Sequence, residues 1–463
     1  MSLLFRNAQV GVGGSLTSFA ISEAGRVVAP DAIVPDEVID LQGAIVLPGL
    51  VDAHVHSVQW AQNRRRTDLS AATSAAHAVS IILSSVRPGE PTLGFGFRDV
   101  FWADEMHKDL LPGEHPIILV SNDLHTAWFN QAALDLIGRG DHPTGVLLEG
   151  DCFRGLAALP PPPADQVDAW VAEAMTAAAA RGVTGVIDFE YADNVTDWQR
   201  RRTDVRVACS IPRDRLEEAV ARGLRTGQEI SEFLTVGPVK MFVDGSLNTR
   251  TAYCADPYPG TTSRGLLELP PEELAATMAL AARNGIHPAV HAIGDDAVTI
   301  ALDAFHDLGC PGRIEHAQLV SRKDFPRFAL KGLVAGVQPA HQPDDREVAD
   351  LQWHGRTDRA YAFADLLASG GTIEIGSDAP VSPLDPWDGI ASAVTRTDDD
   401  RPAWHPEQAI PLATALAAAS QGRAGVHEGD IADLVIVGDM SDLRHPEVLG
   451  TVLAGRWTYR NGV

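Results

Sequence analysis

Between about residue 183 and residue 376, short strand-like runs, most of them apolar, alternate with longer Ala-rich stretches whose apolar residues recur every three to four positions. The runs predict strands over Val183–Phe189, Val205–Ile211, Val236–Val243, Ile286–Ala292, Arg313–His316, Leu333–Gln338 and Thr372–Gly376. Short apolar runs bounded by turn residues suit strands buried on both faces. The stretches between them predict helices over Ala164–Arg181, Arg213–Arg222, Pro271–Asn284, Asp295–Leu308 and Ala360–Ala368; Leu274, Met278, Leu280 and Ala281 mark the inner side of the third. One more apolar run, Ala44–Leu47, is broken by Pro48-Gly49, resumes as Leu50-Val51 and supplies an eighth strand ending at His56. Strand-then-helix repetition implies an α/β fold with a parallel sheet, most economically a closed (β/α)8 barrel.

The two ends of the chain read differently. Leu3–Phe5, Ser18–Ile21, Arg26–Val28 and Glu37–Asp40 are short strand-like runs separated by Gly, Pro and Asp. Asp433–Val437 and Val448–Tyr459 repeat that character at the other end. Pieces this small are unstable alone, so residues 1–47 and 425–463 are expected to form one β-sandwich flanking a barrel of residues 48–424. A long excursion, about 57–163, interrupts the barrel pattern after its first strand. It predicts a helix over Ser70–Arg87, a strand over Pro116–Val120 and a stiff exit at Pro160–Pro163. Its length suits a lid or substrate-shaping subdomain at the barrel mouth.

Composition narrows the function classes. The 463 residues are 45% hydrophobic and 21% charged, ordinary for a soluble globular chain. A net charge of -25 argues against nucleic-acid or anionic-membrane partners, which need basic patches. The four cysteines lack Cys-x-x-Cys spacing, so neither a disulfide framework nor a thiolate metal site is expected. No apolar h-region opens the chain and no run is long enough to span a bilayer. The expectation is a cytoplasmic protein acting on a small molecule, with a homodimer as the expected assembly.

The chemistry gathers where the predicted strands end. His54 and His56 stand two apart on a strand, so their imidazoles project side by side and can chelate one Zn²⁺ or similar ion. Lys240, His291, Glu315-His316 and Asp378 lie at or near the ends of four other strands. In such barrels the C-terminal strand ends form the active face. The lysine is the odd member, because an ammonium repels a metal. Two divalent ions 3.5–4 Å apart already repel by ~17–19 kcal/mol at an effective dielectric near 20, so anions must bridge them. A buried lysine with a depressed pKa can take up CO2 as a carbamate, which is such an anion. Unmodified, Lys240 would instead point to one metal, with the lysine as a substrate contact.

The motifs Leu47-Pro48-Gly49-Leu50-Val51-Asp52-Ala53-His54-Val55-His56, Asn122–Asn130, Lys240–Ala252, His291-Ala292-Ile293-Gly294-Asp295, Ile314–Gln318, Gly376–Val381 and Gly429–Val435 run in order along most of the chain. Together they resemble the amidohydrolase superfamily, and within it the amidohydrolase 3 or YtcJ-like group. The resemblance implies a barrel flanked by a β-sandwich, and a metal-activated hydroxide that cleaves a non-peptide C–N bond in an amide, imide, N-acyl or N-formyl compound. Carried across, His54 and His56 hold one divalent metal and His291 and His316 the other. Zn²⁺ is the expected ion, with one or two per chain; Lys240 bridges as the CO2-derived carbamate, and Asp378 is both ligand and catalytic proton shuttle. His125, Arg250 and Gln338 are candidate substrate contacts.

Two alternatives stay open. A mononuclear deaminase of the same superfamily resembles a pattern with His-x-x-Glu on the fifth strand and no lysine ligand; here Gly294 stands three positions after His291. An inert scaffold would keep the barrel and lose the ligands, all six of which are in place.

Overall fold

The computed structural model describes residues 2–86, 91–99, 102–121, 126–148 and 150–463. The chain forms two compact units, one from the segments that end at Trp60 and resume at Val171, the other over Ala61–Trp170.

The first unit holds eight parallel strands: β1 (Leu50–Val55), β2 (Val183–Asp188), β3 (Arg206–Pro212), β4 (Leu234–Phe242), β5 (Pro288–Ala292), β6 (Gly312–His316), β7 (Leu333–Val337) and β8 (Thr372–Ile375). They pair in that order, and a short strand, Glu229–Ser231, attaches antiparallel to β4. All eight were legible as strand-like runs, although β6 and β8 carry Arg313, Glu315 and Glu374 within them. The ring closes just past β8, where Val55 and Ala379 form a parallel bridge. There the Asp378 N–H donates to His54 O at 2.7 Å and the His56 N–H donates to Ala379 O at 2.9 Å. Gly376 permits this approach, since a Cβ on it would lie 2.5 Å from the His54 nitrogen. Ala53, Ile187, Phe189 and Ala289 fill part of the barrel interior.

The helices that follow the strands are set by ordinary end signals. Pro271–Arg283 starts with Pro at its first turn followed by Glu272 and Glu273, and buries Leu274, Met278 and Ala281. Asp295–Leu308 ends on Gly309 in the left-handed conformation at φ 60°. Helices over Asn194–Arg200, His341–Gln352, Pro386–Thr395 and Leu412–Ala418 were not anticipated. Two of them are at most seven residues long, and His341–Gln352 is too polar for its apolar period to stand out.

The terminal segments share one eight-stranded sheet, in which Ile45–Pro48 pairs with Leu434–Val437 and with Leu3–Val10. Its core includes Leu3, Phe5, Phe19, Ile21, Val46, Leu434, Ile436 and Val452. Gly49 alone separates this sheet from β1, and its N–H donates to Asp433 O at 2.8 Å.

The second unit departs from expectation. The helix predicted over Ser70–Arg87 spans only Ala75–Leu83, with Ser74 capping it by accepting from the His77 N–H. Among the described residues the strand expected over Pro116–Val120, found as Ile117–Ser121, is one of five, ordered Val146–Leu148, Thr126–Phe129, Ile117–Ser121, Thr92–Phe97 and Thr67–Asp68. Ile117 and Leu119 face one apolar cluster while Ile118 and Val120 face another. That strand was expected; Thr67–Asp68 and Val146–Leu148 are too short to carry a period, and Gly94 and Gly96 disguised Thr92–Phe97.

Candidate metal centre

The C-terminal strand ends surround a cleft of about 530 Å³ lined by His54, His56, Lys240, His291, His316 and Asp378, all six expected ligand positions. Such a volume suits a small organic molecule. The closest grouping is His54, His316 and Asp378, whose ligand atoms lie within 4.8 Å of one another. Asp378 Oδ1 is 3.4 Å from His54 Nε2 and 3.2 Å from His56 Nε2. Lys240 Nζ lies 3.3 Å from His54 Nε2 and 4.6 Å from the centre of the Phe189 ring. The His291 and His316 rings are 4.4 Å apart, edge to face.

Backbone geometry brings these groups together. Neighbouring strand residues ordinarily face opposite ways. Glu315 points into the barrel, and His316 has φ 75°, which turns its side chain toward the mouth as well. Asp378 is also left-handed, at φ 57°. Non-glycine residues held there are strained by ~1–3 kcal/mol and concentrate at working sites.

Hydrogen bonds set the imidazole tautomers. Glu315 Oε2 is 2.8 Å from His54 Nδ1, so that nitrogen carries the proton and Nε2 presents its lone pair to the cleft. Glu315 is fully buried, and its other oxygen accepts from Arg313 Nε at 2.6 Å. Burial alone would raise its pKa, yet the Arg313 charge and the His54 hydrogen bond hold it down at about 2. The His291 Nε2–H donates to Gly245 O at 3.1 Å, which leaves Nδ1 as the acceptor. Burial pushes His54 down to about 4 and His291 to about 3, with Lys240 adding to both shifts, and pushes His316 well below the ordinary value. These imidazoles are uncharged at neutral pH. Burial opposes the charge on Asp378, but the surrounding histidines keep its carboxyl well below the usual range. Burial lowers Lys240 to about 8 against the pull of Glu315 and Asp378.

A divalent cation fits this donor set. The Nδ1 atoms of His56 and His316 are buried without a hydrogen-bond partner among the described residues, and His54 Nε2 is aimed at the same space as the Asp378 carboxylate. Neutral imidazoles with one carboxylate are the ligands of zinc and its neighbours.

The proposed substrate contacts fare differently. Arg250 is exposed, at φ 56°, and does not line the cleft. Gln338 is buried, donates to Gly336 O at 3.2 Å and is likewise not a lining residue. His125 lies outside the described residues.

Other groups at the site had not been singled out. Asp52 accepts from the Ser377 N–H at 2.8 Å and the His54 N–H at 3.2 Å, tying β1 to the segment after β8. Burial raises it to about 7. Asp244 accepts from the N–H groups of Ile293, Gly294 and Tyr253 at 2.8–3.0 Å and so shapes the turn beyond His291. His341 and Gln318 line the cleft; Gln318 bonds the Tyr361 hydroxyl, which donates to Asp345. Asp52, Asp244 and Gln318 stood inside the quoted motifs, so a signal was present. His341 opens a helix that had none.

The amidohydrolase family model matches residues 37–459. The protein LONG AFTER FAR-RED 3 of Arabidopsis thaliana is 29% identical over 92% of this chain and 82% of its own length. An N-substituted formamide deformylase of Arthrobacter pascens is 24% identical, over 99% and 94% respectively. Among solved structures, an uncharacterised metal-dependent hydrolase from Pyrococcus horikoshii OT3 superposes with a TM-score of 0.80 at 25% identity, covering 96% of this chain and 98% of that one.

Proposed function

The chain belongs to the amidohydrolase family and is a metal-dependent hydrolase, and from that premise we propose that it cleaves an amide, imide, N-acyl or N-formyl bond of a small molecule. The observation that carries the reading is the convergence of four imidazoles and the Asp378 carboxylate on one cleft, with His54 locked as an Nε2 donor by Glu315. The resemblance to a formamide deformylase supports the same bond class.

His54 and His56 would hold one divalent ion, His291 and His316 a second, with Asp378 on the first. Lys240 would join them as a carbamate. Its amine, 3.3 Å from the His54 nitrogen that must face the metal, would otherwise set a cation against a cation. When bound, the metal polarises the substrate carbonyl and lowers the pKa of water toward neutrality. Asp378 takes a proton from the attacking water and returns it to the departing nitrogen as the C–N bond breaks. One water is consumed, and a carboxylic acid and an amine are formed, or a carboxylic acid and an amide where the substrate is an imide. Phe242, Leu247, Ile293, Pro380 and Val381 supply apolar walls for the acyl or N-substituent, and His341 Nε2, donating to Ser377 O at 3.2 Å, leaves Nδ1 to accept from it.

A second reading has its own support: among the described residues only His54, His316 and Asp378 have ligand atoms all within 4.8 Å of one another, which suits a single ion with Lys240 as a substrate contact. Elemental analysis of wild type and Lys240→Ala separates the two. About two metals per chain, falling in the variant and partly restored by a short-chain carboxylate, supports the bridged pair. One metal in both proteins selects the mononuclear centre and brings deamination forward. Absence of metal from both after reconstitution with Zn²⁺ and bicarbonate refutes either reading.

A further inference from the structure

A chain of charges, buried except at its Glu374 end, runs through the barrel beneath the cleft. Glu374 on β8 accepts from Arg313 Nη1, Arg313 Nε donates to Glu315 Oε1, and Glu315 Oε2 receives His54 Nδ1–H. Arg313 Nη2 also reaches Ala53 O on β1 at 3.4 Å. Arg313 is 8% exposed and Glu315 not at all. Gly336 on β7 leaves the space, since a Cβ there would stand 2.2 Å from Glu315 Oε2 and 2.7 Å from Arg313 Nη2.

Stability alone is a poor reason for such a ladder. Burying ions costs several kcal/mol each, and well-packed apolar side chains of similar volume often serve as well or better. Barrel interiors are ordinarily layers of branched apolar residues. The ladder ties together β1, β6 and β8, and these strands carry, or lead into, His54, His316 and Asp378, the tightest group in the cleft.

We propose that Arg313, clamped by Glu374, is a positioning residue of the metal centre: it holds the Glu315 carboxylate in the one orientation that fixes the tautomer and ring plane of His54. A carboxylate has two oxygens, and Arg313 occupies one, leaving the other for His54. Without that hold, the Glu315 carboxylate is free to rotate, and His54 Nε2 loses its aim. This rests on the reading of the cleft as a metal site.

The test is Zn²⁺ affinity of the full-length apo-protein, measured by competition with a chromophoric chelator and accompanied by thermal melting in chelator. Arg313→Met is expected to weaken binding by about tenfold or more, the size found for groups that orient metal ligands. Arg313→Lys should recover part of that loss. Combined with Glu315→Gln, Arg313→Met should add nothing, because both act through one hydrogen bond. A loss of threefold or less in Arg313→Met, or losses that multiply in the double variant, overturns the proposal. Should the Arg313 variants fail to fold, Glu374→Gln decides at the more exposed end of the ladder: more than threefold weakening supports it and anything smaller overturns it. Wild-type protein that binds no Zn²⁺ would instead sink the metal-site reading, and this inference with it.

Discussion

Gly376→Ala tests the seam where the barrel closes. The new methyl carbon would lie 2.5 Å from the His54 nitrogen, 2.6 Å from its Cβ and 3.0 Å from its Cα. Ordinary contact begins near 3.4 Å, so β8 and β1 must part by about 1 Å. Overpacking of this kind costs ~1–3 kcal/mol. The seam's two hydrogen bonds, Asp378 N–H to His54 O and His56 N–H to Ala379 O, contribute ~1 kcal/mol each. The expected destabilisation is therefore about 3–5 kcal/mol if both are lost. Turnover should fall by about 100-fold, because the shift separates His54 from Asp378. Gly185→Ala is the control: its Cβ comes no nearer than 3.3 Å to anything, meeting the Val51 methyls at 3.3 and 3.6 Å and Arg206 Cβ at 3.7 Å, and it should change stability by less than about 1 kcal/mol. Urea unfolding in the presence of chelator, with amide exchange at His56 and Asp378, reads both variants. Gly376→Ala matching Gly185→Ala in stability, exchange and turnover would refute the reasoning.

His54→Ala and His56→Ala should each abolish metal binding and hydrolysis, and retention of both by either variant contradicts the assigned centre. Asp378→Asn should keep the fold, because asparagine tolerates the left-handed backbone at φ 57°. It should lose about 10²–10⁴ in kcat; an active variant removes the shuttle role. Phe242→Ala, which opens one apolar wall of the cleft, should raise KM several-fold with little change in kcat, and the reverse pattern in steady-state kinetics would assign Phe242 to the chemical step. Arg250→Ala should leave KM within twofold, since the side chain stands outside the cleft; a large KM rise would restore it as a substrate clamp.

Most of the barrel strands were legible because parallel strands buried on both faces read as apolar runs, β6 and β8 with their internal charges excepted, and the ligand positions because polar residues stood at one end of the strands. Lys240 drew notice because an ammonium among candidate metal ligands repels a metal, and it lies buried at 2% exposure. Arg250 illustrates the converse. It sits in a matching motif, but motif membership says nothing of direction, and a turn at φ 56° leaves its side chain in solvent. In the second unit the strand Ile117–Ser121 was legible as an apolar run, whereas Thr67–Asp68 and Val146–Leu148 are too short to carry a period and glycines interrupt Thr92–Phe97.

By itself, then, the sequence determined the barrel, the family and the six residues that meet in the cleft, because local hydrophobic pattern and ordered motifs are properties of neighbours along the chain. Only the tertiary structure decided which nitrogen of His54 is free, that Arg313 and Glu374 stand behind it, and that Arg250 and Gln338 stand apart. Those outcomes depend on residues as far apart as His54 and Glu315, 261 positions along the chain. They depend also on left-handed backbone turns at His316 and Asp378 that no side-chain pattern records. Direction in space is set by packing between strands, and it exists only once the ring has closed.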